Sequence, residues 1–162
     1  MNEQELQMHK KFLEEAVRLA RENVATGRGG PFGAVIVKDG QIIASGSNQV
    51  LDSQDPTMHA EVNVIRQACK KLNHFELKDC IIYSSCEPCP MCLGAIYWAR
   101  PKALFFAADR STAARHGFDD KFIYDEIALP AEKRSIKTVC ITLDEREQPF
   151  EKWDAKTDKV PY

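Results

Sequence analysis

Neither sign of charge dominates this 162-residue chain: 22 Lys and Arg stand against 24 Asp and Glu, a formal charge of −2 with a pI near 6.1. Without a net basic field to attract phosphates, a dedicated nucleic-acid partner, tRNA or DNA, is disfavoured. No apolar run approaches the roughly 20 residues that span a bilayer, so no membrane partner is expected. The start, Met1-Asn2-Glu3-Gln4-Glu5, lacks the basic and apolar regions of a secretory signal, and a cytoplasmic protein is expected. Internal repeats, low-complexity blocks and interdomain linkers are also missing. With 44% hydrophobic and 28% charged residues, ordinary globular usage, the chain reads as a single domain over 1–162. Six cysteines without an export signal point to metal or redox chemistry before a disulfide framework.

Apolar Phe12, Leu13, Ala16, Val17, Ala20 and Val24 recur at intervals of three and four, which predicts a helix from Glu3 to about Ala25 with these residues on its buried face. Thr26-Gly27-Arg28-Gly29-Gly30-Pro31 stops it. Ala34–Val37 and Gln41–Ala44 flank Lys38-Asp39-Gly40, and an Asp-Gly step between β-branched runs reads as a hairpin. Ile65, Ala68, Cys69 and Leu72 predict a helix beginning just past His59. Cys80–Tyr83 reads as a buried strand, Pro90–Ala99 as a short helix with proline in its first turn, and Ala103–Ala107 as a fourth strand. Residues 110–130 read as helix and loop, and Thr138–Leu143 as a fifth strand. Strands alternating with helices predict an α/β domain with a mixed sheet and at least one parallel pairing. The charged tail from Asp144 carries Phe150, Trp153 and Tyr162, whose large surfaces favour burial. His9 and His74 are expected at the surface, His116 at a turn or helix end, and Cys69, Cys80 and Cys140 in the core.

Chemistry concentrates in His59-Ala60-Glu61 and Pro88-Cys89-Pro90-Met91-Cys92. One imidazole and two thiols are three ligands of the kind a catalytic zinc takes, with a fourth position left for water. Cys89 and Cys92, three apart in a first helical turn, share a face. His59 and Glu61, two apart, diverge within a helix, so both serve one site only if His59 sits at or before the helix start. The site then lies over helix N-termini, whose free N–H groups and positive dipole end favour thiolates. Two thiolates cancel the ion's charge and weaken its pull on water, so a carboxylate base is needed, and Glu61 is the candidate. Taken singly, His59 reads as a structural histidine and Glu61 as a first-turn acid complementing the dipole; their combination with the cysteines changes that. Cys86 extends the run to Cys86-x-x-Cys89-x-x-Cys92 and opens two rivals, a redox dithiol and an iron–sulfur cluster. The first leaves His59 and Glu61 unexplained, and the second needs a fourth cysteine ligand.

His-x-Glu followed by Pro-Cys-x-x-Cys matches the signature of zinc-dependent nucleobase deaminases. Further segments narrow the match: Gly30-Pro31-Phe32-Gly33-Ala34-Val35, Asp55-Pro56-Thr57-Met58-His59-Ala60-Glu61-Val62, Ser85 through Pro101, Gly117-Phe118-Asp119-Asp120 and the terminal Tyr162. Over essentially the whole chain the sequence resembles the small guanine deaminases of the cytidine deaminase-like superfamily. That resemblance implies a three-layer α/β/α fold with a central five-stranded mixed sheet. It implies one zinc ion per subunit on His59, Cys89 and Cys92, with Glu61 as the catalytic proton shuttle. The implied reaction is hydrolysis of guanine, a small-molecule purine, to xanthine and ammonia by a zinc-bound hydroxide. Substrate contacts would come from Phe32, Asn48, Ala60, Trp98, Asp119, Asp120 and Tyr162, with Asp120 the closer match of the aspartate pair. The resemblance further implies a homodimer in which residues 144–162 cross to the partner and Tyr162 closes the partner's site. Met58 departs from the alanine common in the family and is expected to tighten the pocket beside His59. Guanosine deamination and a structural zinc module with Cys86 as fourth ligand remain alternatives at the level of sequence.

Overall fold

The computed structural model describes all 162 residues, in two compact units, Met1–Asp120 and Lys121–Tyr162. The first unit opens with α1 (Glu3–Ala25), started by a reciprocal capping box in which the Asn2 side chain and the Glu5 N–H, and the Glu5 carboxylate and the Asn2 N–H, each meet at 2.8 Å. Its buried stripe is Phe12, Ala16, Ala20 and Asn23; Val17 and Val24, expected inside, are exposed. From Ala20 a period of about 3.6 residues reaches 23 and 24 almost equally. Asn23 takes the inward place because its amide satisfies backbone carbonyls that valine would leave unpaired.

β1 (Gly33–Lys38) and β2 (Gln41–Ser47) form the expected hairpin. Asp39 and Gly40 both take positive φ, 49° and 75°, giving the turn whose twist suits a two-residue connection. Then come α2 (Val50–Ser53), α3 (Ala60–Leu72), β3 (Cys80–Cys86), α4 (Pro90–Ala99), β4 (Ala103–Ala108) and α5 (Arg110–Arg115). The sheet runs β2-β1-β3-β4, with β1 antiparallel to both neighbours and β3 parallel to β4. Strand alternation divides the core. Ala34, Ile36, Ile82 and Leu104 pack with Ala60, Val64, Ala68 and Ile96 of α3 and α4, while Val35, Val37, Tyr83 and Phe105 pack with Phe12 and Leu13 of α1. Helices therefore cover both faces. The right-handed logic of a parallel strand pair joined by a helix brings the end of β3 and the start of α4 to one edge of the sheet, where ligands bind in folds of this kind.

The sheet has four strands, not five. Thr138–Leu143 forms no strand: Ile141 is 78% exposed, and Cys140, expected in the core, is exposed. A β-branched run becomes a strand only where a neighbour takes up its N–H and C=O groups, and the unit Lys121–Tyr162 contains no strand to do so. That unit holds α6 (Lys121–Ala128), a single 3-10 turn at Ala131–Lys133, and α7 (Gln148–Asp154). Phe150 stays exposed there, and the Tyr162 ring stands edge-on to Trp153 at 6.4 Å. His9 also departs from expectation. It is half-buried, with Nδ1 2.8 Å from the Tyr83 hydroxyl and its ring stacked on Phe105 at 4.0 Å. A fully buried tyrosine needs a partner for its hydroxyl, and His9 provides it.

Candidate active site

His59 is the N-cap of α3 and Cys89 the N-cap of α4, both in extended backbone, and neither uses its side chain to cap. Ser, Thr, Asp or Asn at such positions adds about 1 kcal/mol each. Giving up that stabilisation at two neighbouring helices leaves two side chains for another task. His59 Nδ1 lies 3.5 Å from Cys89 Sγ and 3.5 Å from Cys92 Sγ, and the three ligand atoms fall within 4.8 Å of one another. A tetrahedral ion with Zn–N near 2.0 Å and Zn–S near 2.3 Å sets N···S edges of about 3.5 Å, so this donor set fits zinc. Cys86 is outside it: its thiol lies 3.8 Å from the Asp109 carbonyl, and burial pushes it up to about 11. The iron–sulfur, redox-dithiol and four-ligand structural readings all need Cys86 in the cluster, so they lose their ligand set.

The Cys92 thiol hydrogen-bonds to the Cys89 sulfur, which holds Cys89 below the usual thiol range and pushes Cys92 up. His59 is raised, chiefly by its contact with Cys89. One of the two sulfurs is thus favoured as a thiolate, the form in which cysteine binds a metal. Glu61, in the first turn of α3, is only 5% exposed. Burial pushes its carboxyl up, while hydrogen bonds from Ser84 and Cys92 pull the other way. Ser84 Oγ donates to Glu61 Oε1 at 2.8 Å, so the carboxylate stands beside the cluster with one oxygen held.

The edge-on pair Phe32 and Phe118, ring centroids 5.0 Å apart at 90°, forms a wall of the same unit. Asn48 is buried, donates its N–H to the Phe32 carbonyl at 3.0 Å, and accepts from the Val50 N–H at Oδ1 at 3.2 Å, which leaves Nδ2 as the end with hydrogens to give. Ala60 is fully buried at the start of α3. Asp120 is half-buried, and its carboxyl is raised by burial and then by the negative charge of Cys89, which ties it electrostatically to the metal ligands. Asp119 is exposed, Trp98 is 63% exposed on α4, and Tyr162, in the second unit, is 72% exposed; none of these three is enclosed within one chain. Met58 receives the Arg66 guanidinium on its sulfur, so its added length is spent against α3.

Residues 6–108 match the cytidine and deoxycytidylate deaminase zinc-binding region. The chain belongs to that zinc-binding deaminase family. Guanine deaminase of Bacillus subtilis (strain 168) is 60% identical over 154 residues, 95% of this chain and 99% of that protein. The crystal structure of a guanine deaminase from Bacillus subtilis superimposes with a TM-score of 0.93 at 58% identity, covering 100% of this chain and 99% of the other. The tRNA-specific adenosine deaminase of Aquifex aeolicus (strain VF5) is 41% identical over 107 residues, 65% of this chain and 68% of that protein. The likeness to the Bacillus structure therefore runs on through Gly117–Asp120 and the tail, beyond the end of the family match at residue 108.

Two residues of this deaminase site, Ser84 and Asn23, escape a reading of the sequence, and Phe118 enters it only within the segment Gly117-Phe118-Asp119-Asp120. Ser84 sits in a strand and reaches Glu61 across 23 positions, Phe118 meets Phe32, and Asn23 lies within a helix. The one available signal was two serines, Ser84-Ser85, in an otherwise apolar strand. Ser84→Ala is expected to lower kcat by roughly ten-fold, since hydrogen bonds to charged groups contribute about 1.5–3 kcal/mol. Because the hydroxyl pulls the Glu61 pKa down, its loss moves the acid limb of the pH–rate profile to higher pH with zinc content unchanged. A rate profile with an unmoved acid limb contradicts the role given to Ser84.

Proposed function

We propose that this protein is a zinc-dependent guanine deaminase, converting guanine and water to xanthine and ammonia. The observation that carries the reading is a buried carboxylate, Glu61, held by Ser84 beside a His-Cys-Cys cluster of zinc dimensions, in a chain alike end to end to a guanine deaminase. Zinc, held by His59, Cys89 and Cys92, supplies Lewis acidity that makes water easier to deprotonate. Glu61 takes the first proton of the attacking water and delivers it to a ring nitrogen as oxygen bonds to C2. It then carries the second proton to the exocyclic amine, and the C–N bond breaks to release ammonia. Phe32 stacks on the purine, Asn48 Nδ2 donates to its carbonyl edge, and Asp120 accepts from a ring N–H; Ala60 lies where α3 begins under the ring, with Trp98 and Asp119 at the rim. Buried polar edges left unpaired cost about 1–3 kcal/mol each, so these contacts set selectivity. Steady-state assays with guanine and guanosine test the reading: xanthine from guanine is expected, and turnover of guanosine alone overturns it in favour of nucleoside deamination.

The protein works as a homodimer in which the tail, residues 144–162, crosses to the partner and Tyr162 closes the partner's site. What supports this is the row of exposed large apolar side chains in the second unit, among them Phe122, Ile136, Ile141 and Phe150, more than a lone soluble chain usually carries. The six free cysteines suit a reducing compartment, the cytoplasm. Mixing subunits tests the exchange. Glu61→Ala and Tyr162→Ala are each impaired alone, but an equilibrated equal mixture should regain about a quarter of wild-type sites, because half the dimers pair one intact Glu61 with the other chain's Tyr162. A mixture no more active than its components contradicts exchange.

A further inference from the structure

Asn23 is 3% exposed, polar, and at the last buried position of α1. Its amide is committed on both sides. Nδ2 donates to the Gly30 carbonyl at 2.9 Å and to the Asn48 carbonyl at 2.9 Å, and Oδ1 accepts from Ser47 Oγ at 3.0 Å. Gly30 precedes Phe32 by two residues, and Ser47-Asn48 ends β2, so one side chain ties together the two segments that carry the stacking ring and the polar contact of the purine pocket. The chain closes in on the same junction from the other side. A Cβ on Gly29 would lie 2.7 Å from the Asn48 carbonyl oxygen and 3.0 Å from both Asn23 Nδ2 and Asn48 Oδ1, so only glycine fits there. If the position merely filled space under the loops, an aliphatic side chain would do so without burying an amide that needs every partner satisfied.

We propose that Asn23 is a positioning residue for substrate specificity: by clamping the Gly30 and Asn48 carbonyls it fixes where Asn48 stands relative to Phe32, and so which flat heterocycle with an acceptor on its edge is held. This rests on the guanine pocket proposed above. Aspartate, equal in size, cannot replace it, because an oxygen in place of Nδ2 would face two carbonyl oxygens.

The test uses zinc-loaded full-length protein and guanine, with Asn23→Asp, Asn48→Ala and their double variant, reading KM, kcat, zinc content and melting temperature. Asn23→Asp is expected to raise KM about ten-fold while kcat stays within about two-fold and zinc is retained. Because the two residues act through one contact, the double variant should have a KM within about two-fold of Asn48→Ala alone. Gly29→Ala presses on the same junction from the loop side, against the Asn48 carbonyl and the Asn23 amide, and carries the same cycle if Asn23→Asp does not accumulate folded. A KM unchanged in Asn23→Asp and Gly29→Ala while Asn48→Ala raises it, or losses that multiply in the double variant, overturns the positioning role and leaves the pocket standing. A KM unchanged in Asn48→Ala overturns the pocket, and the positioning role with it.

Discussion

Glu61→Gln is expected to leave a folded, zinc-containing protein that turns guanine over roughly a hundred- to ten-thousand-fold more slowly, the usual contribution of a positioned general acid–base. The glutamine keeps the shape and can still accept from Ser84 at Oε1, so the loss isolates proton transfer from binding, and KM should change little. Stability should move in the opposite sense. Burial raises the Glu61 pKa, and a carboxyl so raised favours the folded state below its unfolded pKa and loses that advantage as pH rises through its folded value. In the metal-free protein at neutral pH the ionised side chain is therefore a cost that glutamine removes. After removal of zinc by a chelator, the melting temperature of Glu61→Gln should equal or exceed that of the wild type treated in the same way at neutral pH, with the gap closing on acidification. A variant that is both inactive and markedly less stable at neutral pH would recast Glu61 as a structural residue.

Cys92→Ser is expected to lose the metal and, with it, all measurable turnover. Changes one shell beyond a metal ligand already cost about 10–100-fold in affinity, and removing a fully buried ligand costs more. Dialysis against a mild chelator followed by metal analysis should find zinc in the wild type and close to none in the variant. Because binding of an ion to the folded state adds to its stability, chelator-treated wild type should melt at a lower temperature and recover on adding zinc, while Cys92→Ser should not respond. Cys86→Ala is the matched control. Its thiol faces the Asp109 carbonyl outside the cluster, so zinc and activity should both be kept. Loss of zinc in Cys86→Ala would return the site to the four-ligand structural type.

What could be read from the sequence was whatever rests on local rules. The Asp39-Gly40 turn, the helix stop after Ala25 and the placing of His59 and Cys89 at helix starts each follow from neighbours a few positions apart, and each is found. His59 and Glu61, two residues apart, can share a site only across a helix boundary, where the structure puts them. What failed depends on distant partners. Thr138–Leu143 has a strand's composition but no strand within its unit to pair with. Asn23 displaced Val24 from the buried face of α1 because carbonyls 7 and 25 positions away needed a donor, which no hydrophobic period encodes. Ser84 and His9 belong to the same class, polar groups whose partners, Glu61 and Tyr83, are set by the tertiary fold.

The most direct test of the central claim is guanine incubated with zinc-loaded wild-type protein in water enriched in heavy oxygen, with xanthine, ammonia and the mass of the product followed together. Hydrolysis at C2 predicts xanthine carrying one solvent oxygen and ammonia in equal amount, with neither formed by Glu61→Gln. Guanine recovered unchanged by a protein that holds its zinc would contradict the assignment of this site to guanine deamination.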